Sequence, residues 1–257
     1  ERLLLHGIVD EVVTEETAER GRTVRFRGRG YAARLLDNES PPMSYQGVTL
    51  REILRRHVTP YGIRCRERAE TKAEGEFTVA AGSSQWKVLE DFCRVYGGFT
   101  PRFDRYGELL AAPERDSGER LVIDDETELL SLRRREDHYG VLSEVLVLDK
   151  SAGSQYIVRN EDFLRRGGSR RQVVCTPGRS TWQAMRYTGE YQIARSREAE
   201  VVLELTLPGI REAEPGETVE LRRTGLGLSG TYRLSEVEIL GSESQGALTV
   251  LRLRERM

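Results

Sequence analysis

Apolar and polar positions alternate with a period of two near both ends of the chain. Val24 and Phe26 alternate with arginines, which predicts a strand over 23–29 that pairs with a strand over 3–13 as a hairpin. The link between these strands, residues 15–21, is polar and predicts a turn. Four more strands are predicted toward the C-terminus: 201–207, 219–221, 232–239 and 248–253. Short strands separated by glycine and proline turns predict an antiparallel barrel or sandwich in that region.

A helical period replaces this alternation in the middle of the chain. Thr49 and Glu52 have the spacing of a capping box, with threonine at the helix cap and glutamate three residues later. Pro60 and Gly62 predict the end of this helix. The apolar stripe behind the cap consists of Leu50, Ile53, Leu54 and Val58.

A second helix follows a short strand over 77–79. Ser83-Ser84 supplies its cap, and Gly97-Gly98 predicts its end. A hairpin that turns at Asp104–Gly107 comes next. One face of the helix carries Trp86, Leu89, Cys93 and Tyr96. We expect this face to form a core, so that Trp86→Ala costs about 3–5 kcal/mol of stability.

Strands return in the last part of the chain, beginning with 121–123 and 142–148. A third helix is predicted over 181–197, capped by Ser180 or Thr181. Together the patterns predict an α+β, β-dominated protein with two β-rich regions flanking a mixed α/β segment. The predicted parts are 1–40, 41–118 and 119–257.

Composition narrows the class of protein. The chain has 257 residues, 32% charged and 38% hydrophobic, which is enough for one large domain or two to three small ones. The formal net charge of -2 gives no general basic field that would recruit nucleic acid. No stretch approaches eighteen apolar residues, so we predict no transmembrane helix and no membrane insertion.

The cysteines and the first residues each support one expectation. Cys65, Cys93 and Cys175 are odd in number and lack CxxC spacing, which predicts reduced, mostly buried thiols in a protein made inside the cell.

The chain begins with Glu1, and the apolar segment 3–9 follows almost at once. We therefore expect N-terminal residues to be missing from this sequence.

Two motifs suggest chemistry, and both have a simpler explanation. Residues 28–33 fit the dinucleotide pattern GxGxxA, but Asn38 and Pro41 interrupt the helix that such a site needs, so a turn at a strand end is favoured. Cys93 and His57 could form a thiol–histidine pair. Cys93 lies on an apolar helix face and His57 near a helix end where a cation favours the dipole, so structural roles are favoured.

Other reactive residue types do not converge in the sequence. The histidines, His6, His57 and His138, have none of the spacings of metal ligands, which predicts no metal site. Carboxylates such as 124–126 and 136–137 are too abundant to indicate a catalytic pair. No catalytic residue and no cofactor site is predicted, and we expect a scaffold or binding protein rather than an enzyme.

Two short basic clusters, 133–135 and 165–171, could contact DNA phosphates or an acidic partner. Because the total charge is near neutral, a solvated loop or the salt-bridged rim of an interface is favoured. No specific nucleic-acid recognition is predicted.

The order of these elements resembles the late control D family, the baseplate hub proteins of contractile-tailed phages, with relatives in prophages, tailocins and contractile injection systems. Family members have additional strands before the equivalent of residue 3, in agreement with the expected missing start. The resemblance lies in residues 5–13, 23–36, 49–63, 86–90 with 107–109, 121–123 with 143–145, and the helix 181–197 with the strands after it.

The resemblance implies two tube-type β-barrel domains in each chain, the first of them lacking its N-terminal strands here. It implies a homotrimer whose six barrels match a hexameric tail tube on one side and a trimeric spike on the other. The tail tube, spike and tape measure proteins would be its partners. Its place would be the tail or baseplate of a virion made in a bacterial cytoplasm.

Two alternatives from other classes remain open. A cell-wall hydrolase would need two facing carboxylates in a deep pocket. A carbohydrate- or receptor-binding module would need exposed aromatic side chains clustered on one face, for example Tyr45, Tyr61 and Tyr156.

Overall fold

The computed structural model describes residues 3–113, 120–149, 151–176, 179–244 and 246–255. The helices are α1 (Ala33–Leu36), α2 (Leu50–His57), α3 (Gln85–Phe92), α4 (Glu161–Arg165) and α5 (Trp182–Glu198). The first eight strands are β1 (Gly7–Thr17), β2 (Gly21–Gly30), β3 (Met43–Gln46), β4 (Cys65–Arg68), β5 (Glu76–Val79), β6 (Arg102–Phe103), β7 (Leu109–Ala111) and β8 (Arg120–Asp124). The other eight are β9 (Ser131–Glu136), β10 (Glu144–Asp149), β11 (Ser154–Arg159), β12 (Arg171–Cys175), β13 (Val201–Pro208), β14 (Thr218–Arg223), β15 (Leu228–Ser242) and β16 (Gly246–Glu255).

The fold is β-dominated, as predicted, and divides into two compact units. The first unit consists of Glu1–Pro113, Leu148–Gln155 and Cys175–Thr188. The second consists of Glu114–Val147, Tyr156–Val174 and Gly189–Met257. This division differs from the predicted parts 1–40, 41–118 and 119–257, which stay a prediction about domains. The boundary at 118 lies outside the described residues.

The N-terminal hairpin is confirmed, and it is longer than predicted. β1 and β2 pair antiparallel from Gly7↔Gly30 to Thr17↔Gly21, so most of the link predicted over 15–21 is strand. Only residues 18–20 form the turn. The polar residues of the link predicted a turn, but a strand exposed on both faces needs no apolar residues and can therefore have the same composition. A register shift between Val9 and Glu11 marks a β-bulge in β1.

The capping box at the start of α2 forms as predicted. The Thr49 hydroxyl accepts a hydrogen bond from the Glu52 backbone N–H, and the Glu52 carboxylate accepts one from the Thr49 backbone N–H. Gly62 ends the following turn of 3₁₀ helix at φ +70°, a left-handed conformation that glycine adopts without a Cβ penalty. The four apolar residues of the predicted stripe are all buried. They hold α2 against the core of the first unit.

The second predicted helix also forms, but its buried face differs from the predicted one. Ser84 caps α3 by accepting from the Lys87 backbone N–H. Leu89 and Cys93 are fully buried, but Trp86 is only partly buried and packs on Phe103 with ring centroids 5.9 Å apart. The predicted turn at 104–107 connects β6 to β7, which pair antiparallel.

The core of α3 also contains a residue outside the predicted face. Phe92 is fully buried, and its ring meets that of Phe77 edge-on at 5.4 Å between centroids. The helical spacing of Trp86 and Tyr96 did not indicate this residue, because the buried face is wider than one row of side chains. α3 continues into a π-helical turn, Cys93–Gly97, before Gly98 ends it.

Six strands form the main sheet of the second unit, in the order β8-β14-β15-β16-β13-β9. The pairs are antiparallel except for β8 with β14, which is parallel. One side of the sheet is apolar and fully or nearly fully buried: Ile123, Leu203, Leu205, Leu207, Val219, Leu221, Leu234, Leu251 and Leu253. The described strands form five sheets, and within this part of the chain none of them closes into a barrel. The two predicted barrels therefore stay a prediction.

A three-stranded sheet in the order β11-β10-β12 adjoins α5. A Cβ added at Gly189 of α5 would lie 2.4 Å from Val158 Cγ2 and 3.2 Å from Val147 Cγ2. Glycine at this position lets the helix approach these two side chains closely. The cap of α5 is Thr181, whose hydroxyl accepts from the Ala184 backbone N–H at 3.3 Å.

Candidate functional site

The glycine motif at residues 28–33 lies at the end of the hairpin. Gly28 and Gly30 belong to β2, and α1 after them has four residues. A Cβ at Gly28 would lie 2.3 Å from the Ile8 carbonyl oxygen across the hairpin. The glycine therefore permits a close approach of two antiparallel strands, and the turn at a strand end is confirmed.

His57 occupies a buried position with both ring nitrogens engaged. Nδ1 lies 2.7 Å from Gln85 Oε1, and Nε2 lies 2.8 Å from the Tyr45 hydroxyl. Because the amide oxygen only accepts, Nδ1 donates and Nε2 accepts, which is the pattern of a neutral imidazole. Burial lowers the pKa of His57, so the interpretation of this residue as a cation at a helix end is wrong.

Cys93 is fully buried, and burial raises the pKa of its thiol, which disfavours the thiolate that a nucleophile needs. The expectation of mostly buried cysteines is wrong for the other two, because Cys65 and Cys175 are exposed. All three are free thiols.

The two remaining histidines have structural partners. His6 Nδ1 lies 3.1 Å from the Tyr106 carbonyl oxygen, and His6 Nε2 lies 3.0 Å from the Tyr31 hydroxyl. His138 Nδ1 lies 2.9 Å from Glu200 Oε1. Among the described residues, no group of three or more histidine, cysteine or acidic side chains is arranged to hold a metal ion.

Asp124 and Asp125 are held by hydrogen bonds, the first within its own turn and the second from a distant part of the chain. Hydrogen bonds from Thr127 lower the pKa of Asp124, and a hydrogen bond from Thr224 lowers the pKa of Asp125. A general acid requires a raised pKa instead. In the other acidic pair, 136–137, Glu136 forms an ion pair with Arg134 at 2.5 Å.

The basic clusters are largely neutralised within the chain. Arg166 pairs with Glu200 at 2.7 Å, and Arg171 pairs with Glu144 at 2.6 Å. The cluster 133–135 lies on β9, which pairs with β13, and is not a loop. The sequence did not reveal this strand, because Leu132 is the only apolar residue in β9.

The aromatic residues proposed for a binding face are not all exposed. Tyr45 is buried, and its hydroxyl is bonded to His57. Tyr61 and Tyr156 are only partly exposed.

Of the described helices, none has the length and apolar character needed to cross a membrane.

The N-terminal hairpin carries exposed apolar side chains. Val12 lies opposite Phe26, and Thr14 lies opposite Val24, so these side chains share one face. Val12, Val24 and Phe26 are 56%, 51% and 65% exposed. We call this set the hairpin stripe. An exposed apolar surface on a long strand pair is typical of an interaction site.

The base of the hairpin is held to the first unit by Arg29. Its Nε and Nη2 donate to both oxygens of Asp10 at 2.8 and 3.0 Å. Its Nη1 and Nη2 donate to both oxygens of Asp37 at 3.0 and 2.7 Å. These hydrogen bonds lower the pKa of both carboxyl groups. The β-bulge places Asp10 within reach of this guanidinium.

A second exposed apolar surface lies on the three-stranded sheet. Val147 and Val158 face α5, so Leu146 and Ile157 next to them in sequence point to the opposite side. Ile157 is exposed, and so is Val173 on β12. This surface is another candidate for contact with a partner.

The polar side of the six-stranded sheet carries an ion-pair network centred on Arg252. The guanidinium bonds Glu204 on β13 at 2.9 Å and Glu238 on β15 at 3.2 Å, and it also bonds Glu236. The network crosses three strands, and its three carboxylates outnumber the single guanidinium.

The sequence matches no protein-family model and none of the curated protein sequences. The fold does match solved structures. A tail protein from Neisseria meningitidis gives a TM-score of 0.80 at 18% identity, covering 98% of this chain and 80% of that one. The 43 kDa tail protein of prophage MuSo2 from Shewanella oneidensis gives 0.78 at 17% identity, with the same coverage of 98% and 80%.

The chain has the fold of phage tail proteins. A component of the type VI secretion system of E. coli, described as similar in structure to the T4 tail proteins gp27 and gp5, gives a TM-score of 0.55 at 11% identity. That match covers 98% of this chain and 61% of the other. The resemblance to tail proteins that the sequence predicted is therefore confirmed at the level of the fold.

Proposed function

We propose that this chain is a structural component of a phage-like tail and acts as the baseplate hub between tail tube and central spike. The observation that carries the proposal is the likeness to two tail proteins over 98% of the chain. The likeness spans both compact units, so it concerns the whole described architecture and not one common module.

The proposed hub role follows from matching symmetries. A homotrimer whose chains each carry two similar β-rich regions offers six related contacts to a hexameric tube and three to a trimeric spike. The tape measure protein, and later DNA, would pass through the ring. The chain would reside in the virion tail at the baseplate.

The chemistry of the described residues supports a structural role. Among the carboxylates that the sequence offered for catalysis, Asp124 and Asp125 have lowered pKa values and Glu136 has an ion-pair partner. Cys93 and His57 are buried. Exposed apolar surfaces on the hairpin and on the three-stranded sheet are the expected features of a subunit that binds neighbours.

The proposal is tested by co-expressing the chain with the tail tube and spike proteins encoded near its gene. We expect a complex with three copies of this chain at one end of a tube, visible by electron microscopy with a tagged chain. Label along the whole tube would contradict the hub role. Failure to bind either protein, with a folded chain, would contradict a place in the tail.

A further inference from the structure

One line of paired residues crosses all six strands of the main sheet of the second unit. Each member is paired with the next, in the order Arg120, Thr218, Arg233, Arg254, Val202 and Arg135. Paired residues point to the same side of a sheet. The residues beside four of them in sequence belong to the buried side: Leu203, Val219, Leu234 and Leu253. The line therefore lies on the polar side, and we call it the arginine row.

Two arginines of this row have carboxylate neighbours. Arg233 lies 3.5 Å from Glu198. Arg120 lies 3.8 Å from Glu220, and that carboxylate bonds Arg222 more closely, at 2.9 Å. Since a strong charge-assisted hydrogen bond is roughly 2.8 Å long, these contacts neutralise the two positions only in part.

The other two arginines, Arg135 and Arg254, have no ion-pair partner among the described residues. Arg135 is exposed, whereas Arg254 is half-buried and its Nε is buried without a hydrogen-bond partner. Arg254 also lies directly opposite Arg233, and like charges in that position destabilise a sheet. A local conflict of this kind is typical of a functional site.

The neighbouring row of the same sheet has the opposite arrangement. It runs through Arg133, Glu204, Arg252 and Glu236, so that basic and acidic side chains alternate. It lies two residues away along β9, β13 and β16, a distance of about 7 Å. Because charges are matched in one row and unmatched in the next, a general excess of charge on the sheet does not explain the arginine row.

The geometry of the sheet limits what can bind along the row. Adjacent strands are about 4.8 Å apart, and each is rotated by about 20–25° from the next, so a straight partner follows only part of the row. The part over β15, β16, β13 and β9 carries Arg233, Arg254, Val202 and Arg135 in this order. These positions lie at about 0, 4.8, 9.6 and 14.4 Å along the row.

An α-helix with an acidic stripe matches these spacings. The first, fourth, eighth and eleventh residues of a helix share one face, and the last three lie about 4.5, 10.5 and 15 Å along the axis from the first. An extended segment repeats about every 6.8 Å on one side and loses step with the strands. Carboxylates at the first, fourth and eleventh positions meet the three arginines, and an apolar residue at the eighth meets Val202.

The surroundings of the row disfavour a nucleic acid. Glu204 lies about 7 Å from the row, inside the screening length of about 8 Å at physiological salt, and repels phosphates that extend beyond one row. None of the residues in the two rows is aromatic, so the bases of a single strand have no stacking platform. The charges therefore favour an acidic protein.

We propose that the arginine row binds a helix of a partner protein that carries a stripe of carboxylates, with Arg135, Arg233 and Arg254 as the contact residues. The helix crosses the strands and spans about three turns. This inference goes beyond the hub role and does not depend on it, because it follows from the register and the charges of one sheet.

The first test titrates the full chain with a synthetic helical peptide of about 18 residues. The peptide is alanine-based and carries glutamate at the first, fourth and eleventh positions of its central segment and leucine at the eighth. We expect NMR shift changes at β9, β15 and β16 and binding that weakens as salt is added. A peptide of the same composition with its glutamates on different faces should bind at least about fivefold more weakly. Equal affinity of the two peptides would overturn the proposal.

The second test removes the two unpaired charges. Arg135→Gln with Arg254→Gln should weaken binding of the peptide about fivefold to tenfold at low salt. Arg22→Gln with Arg25→Gln removes two exposed charges from the first unit and is the matched control, which should leave the affinity unchanged. Equal losses in the two double variants would contradict a specific role of the row.

The single variant Arg254→Gln separates binding from a role in folding. Glutamine keeps part of the aliphatic stem and removes the repulsion from Arg233, so the melting temperature should stay the same or rise. A fall of several degrees would show that Arg254 stabilises the fold, and the proposal would fail.

The remaining outcomes distinguish the class of partner and the hub role. A single strand of about 20 thymidine nucleotides that binds more tightly than the peptide, and loses affinity in the same double variant, would overturn the acidic helix in favour of a nucleic acid. Absence of peptide binding in a chain that still assembles with tube and spike would overturn this inference and leave the hub role standing. Peptide binding in a chain that joins neither tube nor spike would do the opposite.

Discussion

Arg29 and Asp37 face each other through two parallel hydrogen bonds, Nη1 to Oδ1 at 3.0 Å and Nη2 to Oδ2 at 2.7 Å. Asp37 follows α1, and Arg29 lies near the end of β2. Since Arg29 also holds both oxygens of Asp10, one side chain joins both strands of the hairpin to the first helix. The planar guanidinium fork suits this double bidentate contact.

We expect Arg29→Lys to loosen the base of the hairpin without unfolding the chain. Lysine keeps the charge, but its single ammonium cannot bond two carboxylates bidentately. Hydrogen exchange should show faster amide exchange at the base of β1 and β2. Arg27→Lys, which changes one 3.6 Å ion pair, is the control and should leave these amides protected. Equal protection in both variants would show that Arg29 does not hold the hairpin.

The buried His57 should make stability depend on pH. Burial lowers its folded-state pKa below the ordinary value of 6.5, so its contribution is fully present above pH 6.5. As the pH falls below that value, the unfolded chain takes up a proton first and stability decreases. Denaturant melts at pH 8 and pH 5 should show a smaller loss for His57→Gln than for the natural chain. An identical loss would exclude this histidine as the cause.

Gly189→Ala should destabilise the protein, although alanine ordinarily favours a helix. The added Cβ would lie 2.4 Å from Val158 Cγ2, and overpacking of this kind costs about 1–3 kcal/mol. Val158→Ala combined with Gly189→Ala should recover part of that loss in thermal melts, because it removes the clashing methyl groups. A stabilised single variant would show that the sheet yields without cost.

Phe92 and Trp86 should contribute differently to the core of the first unit. Phe92 is fully buried, so Phe92→Ala should cost about 3–5 kcal/mol of unfolding free energy. Trp86 is partly buried, and we expect its replacement by alanine to cost about 2–3 kcal/mol, at or below the low end of the range predicted from sequence. Urea melts of both variants test the order, and a larger loss at Trp86 would reverse it.

Local sequence patterns were sufficient to predict an element where its structure requires particular residue types at particular positions. The capping box of Thr49 and Glu52 and the alternation in β13 predicted their elements because caps and buried strand faces require particular residues. β9 was missed because three successive arginines interrupt the alternation and Leu132 is the only apolar residue of the strand. The bond between Arg29 and Asp10 was also hidden, since a β-bulge depends on backbone geometry that no residue type announces.

The sequence predicted the hairpin stripe only in part. The alternation of Val24 and Phe26 predicted an apolar side of a strand, but the pattern is the same whether that side is covered or exposed. Only the structure shows that the hairpin stripe is open.

The interleaving of the two units along the polypeptide has a consequence for synthesis. The first unit needs residues 175–188, and the second needs residues 189–257, so the ribosome must make most of the chain before either is complete. β8 is made about a hundred residues before its neighbour β14. At roughly 5–20 residues per second it waits several seconds unpaired. A chain truncated after Thr188 therefore keeps all of the first unit together with incomplete parts of the second, and a nascent chain of this protein is exposed to aggregation or to chaperones until the second unit is complete.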